Sequence, residues 1–454
     1  MNNKFFNSKK NVIAFSVAVI VCIAIIVTTI CLVFIKRPKA EYVSATVGEY
    51  EVNYDKNGVD KGLSINKYTG SASGGNVEVP ETITIEEKVY TVTTLGAKSF
   101  SYETNENLGL ITSLTLPKTI TKIGDEAFTR TQFLTELVIP GKVESYGKQI
   151  LKGSGVKRLV IENLTPGYGL LTFDGCELNE FVVETICGNT QDYNHQYSNN
   201  IRAAKLTLGQ GVSDATMLSE MANKITSLSV YSGTKMFAFT EDAMINEIEV
   251  NCTSTQEQLK QTELTKEKTD VINDVAKKKI KTFHVGEVVD TIRANAFAGY
   301  DNLETIYISG KNSISIGNSF TIDVASFDGL SSTCKVLFTE DLDGYEFFIT
   351  AKTEKTVVLR SLMNRFDKLA YIKSVTLDAN ITEIKDGAFS GLTGLETFEF
   401  NNQSVITNIE KGAFRDNAQI AFRGPQNADS YIYKIMTSAD YKGTIAKTYN
   451  NEVL

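Results

Sequence analysis

The chain of 454 residues has no tryptophan, two histidines and six prolines. So little histidine removes the commonest metal ligand and the commonest acid–base group. His195 lies in a loop rich in Asn, Tyr and Gln with Asp192 nearby, and His284 stands between Phe283 and Val285 with Glu287 close in sequence. One histidine with one carboxylate makes neither a ligand set nor a nucleophile with its base. No glycine-rich phosphate loop follows a strand pattern. Positive charge is also in deficit: the net charge is −8, and no polybasic surface stands out beyond the residues flanking the first apolar run. Nucleic acid is not an expected partner. The expectation is a non-enzymatic protein with no cofactor and no metal.

Cysteine is sparse, six in all. Cys22 and Cys31 lie in the first apolar run, and neither has a small residue just before it, which argues against a lipid-modified cysteine. Cys176 and Cys187 are either bridged across a loop in an oxidising compartment or remain free thiols, like Cys252 and Cys334. Apolar residues make up 42% of the chain, which excludes wholesale disorder.

What is present begins with charge-free length. Val12 to Ile35 is uncharged across 24 positions. As a helix it is about 36 Å long, enough to cross a hydrocarbon core of about 30 Å. A cleaved signal would have a shorter apolar region with a small-residue site directly after it. Here Lys36-Arg37-Pro38-Lys39 intervene before Val43-Ser44-Ala45. The expectation is a transmembrane anchor over 12–35, with the lipid bilayer as its partner, behind a short basic tail at 1–11. Lys4, Lys9 and Lys10 precede the span while Lys36, Arg37 and Lys39 follow it, so the positive-inside rule leaves the orientation open. A long domain still crosses largely regardless of charge, which favours an extracellular placement.

The organising feature is a repeat. Ile384-x-x-x-Ala388-Phe389 returns as Ile409-x-x-x-Ala413-Phe414, and Val375-x-Leu377 returns as Phe398-x-Phe400 and Ile420-x-Phe422. Apolar residues at i and i+2 share one face of a strand. A unit of roughly 23 residues cannot bury its own apolar face, so units stack around a continuous core as a solenoid. Traced backwards, the strand pairs are Leu114/Leu116, Leu137/Ile139, Leu159/Ile161, Phe181/Val183, Leu206/Leu208, Leu228/Val230, Ile248/Val250, Phe283/Val285, Ile306/Ile308 and Val336/Phe338. The inward slot after each strand holds Phe100, Phe128, Leu151, Phe173, Met217, Met244, Ala276, Phe297, Phe327, Met363, Phe389 and Phe414. Consecutive strands are expected to pair in parallel along one side, giving about 12 units over 77–422. The long steps Val250–Phe283 and Phe338–Val375 hold insertions or degraded units. The first insert, 252–281, is rich in helix formers, with Leu264, Val271 and Val275 at helical spacing, and reads as a longer outer helix. Residues 36–76 are a juxtamembrane segment and the start of an N-terminal cap. Residues 423–454 form a C-terminal cap in which Tyr431–Tyr433 and Ile445-Ala446 cover the last repeat.

Leu114-x-Leu116-Pro117 followed by Ile120-x-x-Ile123-Gly124-x-x-Ala127-Phe128 resembles the BspA-like class of leucine-rich repeat, as does Leu134-x-x-Leu137-x-Ile139-Pro140. The resemblance runs from about Val77 to Phe422. Most later strands lack the proline, and several units replace the Ala-Phe pair. It implies a leucine-rich-repeat solenoid with a parallel sheet on one face and short helices or turns on the other. It also implies surface display and adhesin-like or other macromolecular binding, although fold does not dictate function. A structural scaffold of the envelope or of the cytoplasmic membrane face is the alternative.

The residue between each inward pair points outward. Val138, Val160 and Val182 then form an apolar stripe, bordered by Glu136, Arg158, Glu180 and Lys205. With parallel neighbours about 4.8 Å apart, that alternation of sign makes a ladder of favourable pairs. These seven residues are the expected contact surface for a protein or a cell-surface or matrix macromolecule.

Overall fold

The computed structural model describes residues 16–26, 39–71, 75–141, 143–165, 172–187, 201–252, 262–309, 319–339, 345–351, 357–359, 365–366, 369–417, 419–437, 447–449 and 452–453. His195, Asp192, Met363 and Ile445-Ala446 lie outside them. Within the first apolar run, residues 16–26 are helical and every one is exposed, while 12–15 and 27–35 also fall outside the description. Among the described residues no helix is long and apolar enough to cross a membrane.

The chain after residue 41 is a β-solenoid of stacked parallel strands. Its first end is antiparallel: Tyr42–Val47 pairs with Tyr50–Asp55, which pairs with Gly62–Tyr68. The third of these then runs parallel to Lys88–Leu95, where the repeat rhythm begins. The bend between the second and third strands is held by Asp55. Its buried carboxylate accepts from the backbone N–H groups of Glu41, Asn57, Val59 and Asp60 at 2.7–3.0 Å. Burial pushes that carboxyl up, but the four donors outweigh it and hold the pKa at about 2.

A nine-stranded parallel sheet forms one face, from Glu136–Ile139 to Lys335–Phe338. Its register aligns Leu137, Leu159, Phe181, Leu206, Leu228, Ile248, Phe283, Ile306 and Val336 across the sheet. These nine first-position residues are all fully buried. Along the solenoid, inward slots stack ring on ring. Phe100 lies parallel to Phe128 at 6.2 Å, Phe297 to Phe327 at 5.7 Å and Phe389 to Phe414 at 5.4 Å. Tyr68 adds a rung ahead of Phe100 at 5.7 Å. The glycine of the Ile-Gly motif serves this closeness. A Cβ on Gly124 would stand 2.5 Å from the backbone nitrogen of Ala97 in the previous unit.

Three expectations are corrected. Met244 is 55% exposed, and Phe237 and Phe239 are the buried residues of that unit. Met244 sits just ahead of the buried Ile245, in the irregular segment that follows the turn at 241–242. The described part of the insert 252–281 is not one long helix. It holds a two-residue strand at Glu263–Leu264 and two single-turn helices, Lys266–Thr269 and Asp274–Lys277. Leu264 pairs in register with Ile292, so its burial comes from a strand and not a helical stripe.

The third correction concerns continuity. The strands do not make one row along one side. Val375 and Leu377 pair with Phe347 and Ile349, which pair with Phe320 and Ile322. Ile322 and Ile292 belong to the second strand of their units, the one before the inward phenylalanine. The first strands of the last units therefore continue the second-strand row of the earlier ones, and a separate sheet of Val357–Leu359, Ile381–Ile384 and Asn408–Ile409 takes the second position. The long step after Phe338 contains the extra strands that shift the phase. Five rings, Phe320, Phe327, Phe338, Phe347 and Phe366, fill the seam with centroid separations of 5.8–6.3 Å. At the far end, Lys447–Tyr449 adds to Ile420–Arg423, and Glu452–Val453 turns back antiparallel.

Candidate functional site

The outward row of the nine-stranded sheet is where the expected contact residues fall. The register sets Glu136, Arg158, Glu180 and Lys205 side by side on successive strands, with Val138, Val160, Val182 and Thr207 beside them. The charges engage as the spacing requires. Arg158 reaches Glu136 at 3.2 Å and Glu180 at 2.9 Å. Lys205 lies 3.9 Å from Glu180 and 3.8 Å from Glu249. The second contact crosses the intervening strand, whose outward residues are Ser227 and Ser229. Thr207 donates at 2.6 Å to Glu180 Oε1, the oxygen that Lys205 approaches, while Arg158 takes Oε2. Burial pushes the Glu180 carboxyl up, but Thr207, Arg158 and the Lys205 charge outweigh it and leave it below the ordinary glutamate value.

The valines do not form an accessible stripe. Val138 is half-buried, Val160 is 7% exposed and Val182 is 2% exposed. Their outward direction follows from strand alternation, as expected. Accessibility does not, because Val182 is hemmed by Val160 and Thr207 across the sheet and by Glu180 and Glu184 along its strand. A partner on this face meets the charges first.

Beyond the ladder the same row carries a feature the sequence did not resolve. His284 Nε2 lies 2.8 Å from Glu247 on the neighbouring strand, not against Glu287. Its ring stacks on Tyr307 of the next strand at 4.8 Å and 14°. Register was the only available signal, since Glu247 is 37 positions away in sequence. Elsewhere a concavity of about 570 Å³ lies along the seam, lined among others by Glu263, Arg293, Asp323, Thr350 and Asp378. Its carboxylates are engaged in the fold. Glu263 pairs with Arg293, Asp323 accepts from Ala325 N–H at 2.9 Å, and Asp378 accepts from Ala351 N–H at 3.1 Å. Cys176, Cys252 and Cys334 are free thiols, so no Cys176–Cys187 bridge forms, and burial pushes Cys176 up to about 11. Among the described residues no group of three or more His, Cys, Asp and Glu side chains is placed to hold a metal ion.

A family model described as BspA type Leucine rich repeat region, in six copies, matches residues 78–202, 223–337 and 362–434, more than half of the chain. Solved structures similar to this chain include a leucine rich cell surface protein from Faecalibacterium prausnitzii. It is 14% identical, with 81% of this chain and 94% of that one covered and a TM-score of 0.23. A leucine-rich repeat protein from Bacteroides ovatus is 14% identical, with coverages of 91% and 99% and a TM-score of 0.24. The pneumococcal vaccine antigen PcpA is 16% identical, with coverages of 86% and 92% and a TM-score of 0.22. No curated protein matches the chain.

Proposed function

The chain belongs to the BspA-type leucine-rich repeat family, and from that premise we propose that it is a membrane-anchored binding protein. It displays its solenoid outside the cell and engages another protein, adhesin-like, through the charged face of the nine-stranded sheet. The anchor is the run 12–35. Its described part is a helix in which Val17, Ile20, Ile23 and Ile26 are 54–65% exposed. So apolar a helix with no protein cover favours lipid around it.

The observation that carries the binding reading is the ladder from Glu136 through Arg158, Glu180 and Lys205 to Glu249. Exposed ion pairs each contribute about 0–1 kcal/mol to stability, too little for the stacking to depend on them. Charges held in register on a rigid sheet instead select a complementary surface and steer its approach.

The test places a photo-crosslinking amino acid at Val138 in the full chain on intact cells, with a second at Val405, which is 67% exposed and distant in sequence. The expected result is an adduct from position 138 that disappears when Arg158 and Lys205 are both changed to Glu. An adduct from 405 alone, or one from 138 indifferent to the charge reversal, contradicts the proposal.

A further inference from the structure

The chain enters the solenoid at a corner that is tied closely to the end of the apolar run. Lys39 stands four positions after Ile35. Four residues reach at most about 14 Å, and a headgroup layer is about 5–8 Å deep on each side of the hydrocarbon core. The loop at 56–60 is fastened to this entry point. Asn57 Nδ2 donates to Lys39 C=O at 2.8 Å, and Lys56 N–H donates to Glu41 C=O at 3.0 Å. With 12–35 in a membrane, the loop therefore stands within about 10 Å of the headgroups whatever path the connection takes.

Three large apolar side chains are exposed around that loop. Val59 at its crest is 53% exposed, and Tyr42 and Val89 on the strands beside it are 57% and 54% exposed. The loop lies between those two. Tyr42 Oη donates to Asp60 at 2.6 Å on one side, and a Cβ on Gly58 would stand 3.4 Å from Lys88 Cδ on the other. Lys88 Nζ also donates to Lys56 C=O at 2.8 Å. Single exposed apolar residues are ordinary. These three share one corner, and the four N–H groups on Asp55 hold its loop in place.

We propose that this corner rests on the surface of the bilayer that carries the anchor, with Val59 and Val89 dipping below the headgroups and the Tyr42 ring beside them at headgroup level. The inference rests on the anchored reading above and adds that the solenoid does not swing freely on its tether. Two valines and a tyrosine are too few to hold a soluble protein on a membrane. A tether of four residues makes the contact intramolecular, and a weak interaction then suffices. Charge does not drive it. Lys56 is paired with Glu41, and Glu86 and Glu87 at the hairpin turn offset Lys61 and Lys88. The contact therefore needs no anionic lipid, and it fixes which side of the first units faces the membrane.

The chain has no tryptophan, so Val59→Trp, Val89→Trp and Val405→Trp each supply a single reporter at an exposed position. Each full chain is reconstituted in phosphatidylcholine vesicles and floated through alkaline carbonate. Its emission is then compared in vesicles of phosphatidylcholine brominated near the top of the acyl chains. Flotation reads the anchor, and quenching reads the corner. All three chains should float, with quenching at 59 and 89 at least about twofold that at 405. Adding Val59→Asp to the Val89→Trp chain should cut its quenching about twofold or more, with flotation and melting temperature unchanged. Floating chains without quenching at 59 and 89, or with equal quenching at 405, would overturn the contact and leave the anchor standing. Quenching at 89 that is indifferent to Val59→Asp would assign it to the tether alone and also overturn the contact. Chains that fail to float would overturn the anchored reading and this inference with it.

Discussion

Val182 shows what alternation along a strand does and does not determine. A period of two sets which face a side chain takes, and Val182 is outward as the pattern requires. At 2% exposure it is nevertheless closed in by its neighbours on adjacent rungs. Val182→Asp should therefore behave as a core lesion, not a surface change. Placed between Glu180 and Glu184, the new carboxylate should cost on the order of 3 kcal/mol in a denaturant titration. A loss within the scatter of ordinary surface substitutions would show that the face is open. Asp290 is the opposite case, a polar residue that no pattern marks as buried. It is 4% exposed, one oxygen accepts from Thr291 at 2.8 Å, and the other has no partner. Burial raises its pKa. A raised folded-state pKa means the penalty is absent below the ordinary aspartate value of about 3.9 and grows as pH rises through the folded value. Asp290→Asn should thus raise the melting temperature at neutral pH, with the gain gone in acid below that range. A gain that persists in acid would assign the effect to something other than charge.

At the scale of the element, the phenylalanine stack was legible because one large ring recurs at one place in each unit. Phe100, Phe128, Phe297, Phe389 and Phe414 are buried where the repeat puts them. Phe128 stacks on Phe100, and Phe128→Ala should lose about 3–5 kcal/mol. Chemical denaturation monitored by circular dichroism would check this. A loss near 1 kcal/mol would mean that neighbouring units collapse into the gap. The middle of the chain was harder to read because its slots hold smaller or displaced residues. Met244 met the spacing but is exposed, while Phe237 and Phe239 do the filling. In the insert, Leu264, Val271 and Val275 satisfied helical spacing by coincidence. Leu264 belongs to a strand, and the two helices nearby have one turn each.

At the scale of the molecule, a repeat motif identifies each unit but not the row that each strand joins. Within 136–338 every first strand joins its predecessor in step, so sequence spacing and sheet order agree. Across the seam they separate, because Tyr345–Thr350 inserts a strand that aligns with Ser319–Asp323 on one side and Ile372–Leu377 on the other. Spacing along the sequence does not reveal such a phase shift, because it does not say which row an inserted strand joins; at the seam Phe366 packs on Phe327, Phe338 and Phe347. The N-terminal strands at 42–68 also precede the repeat and follow a different, antiparallel logic.

We propose above that this solenoid is held at a membrane and faces outward, and protease treatment of intact cells carrying a tag after Leu454 reads that placement. Loss of the tag with the membrane intact is the predicted result. A tag that survives until the cells are lysed would contradict outward display and make the scaffold of the cytoplasmic membrane face the reading to pursue.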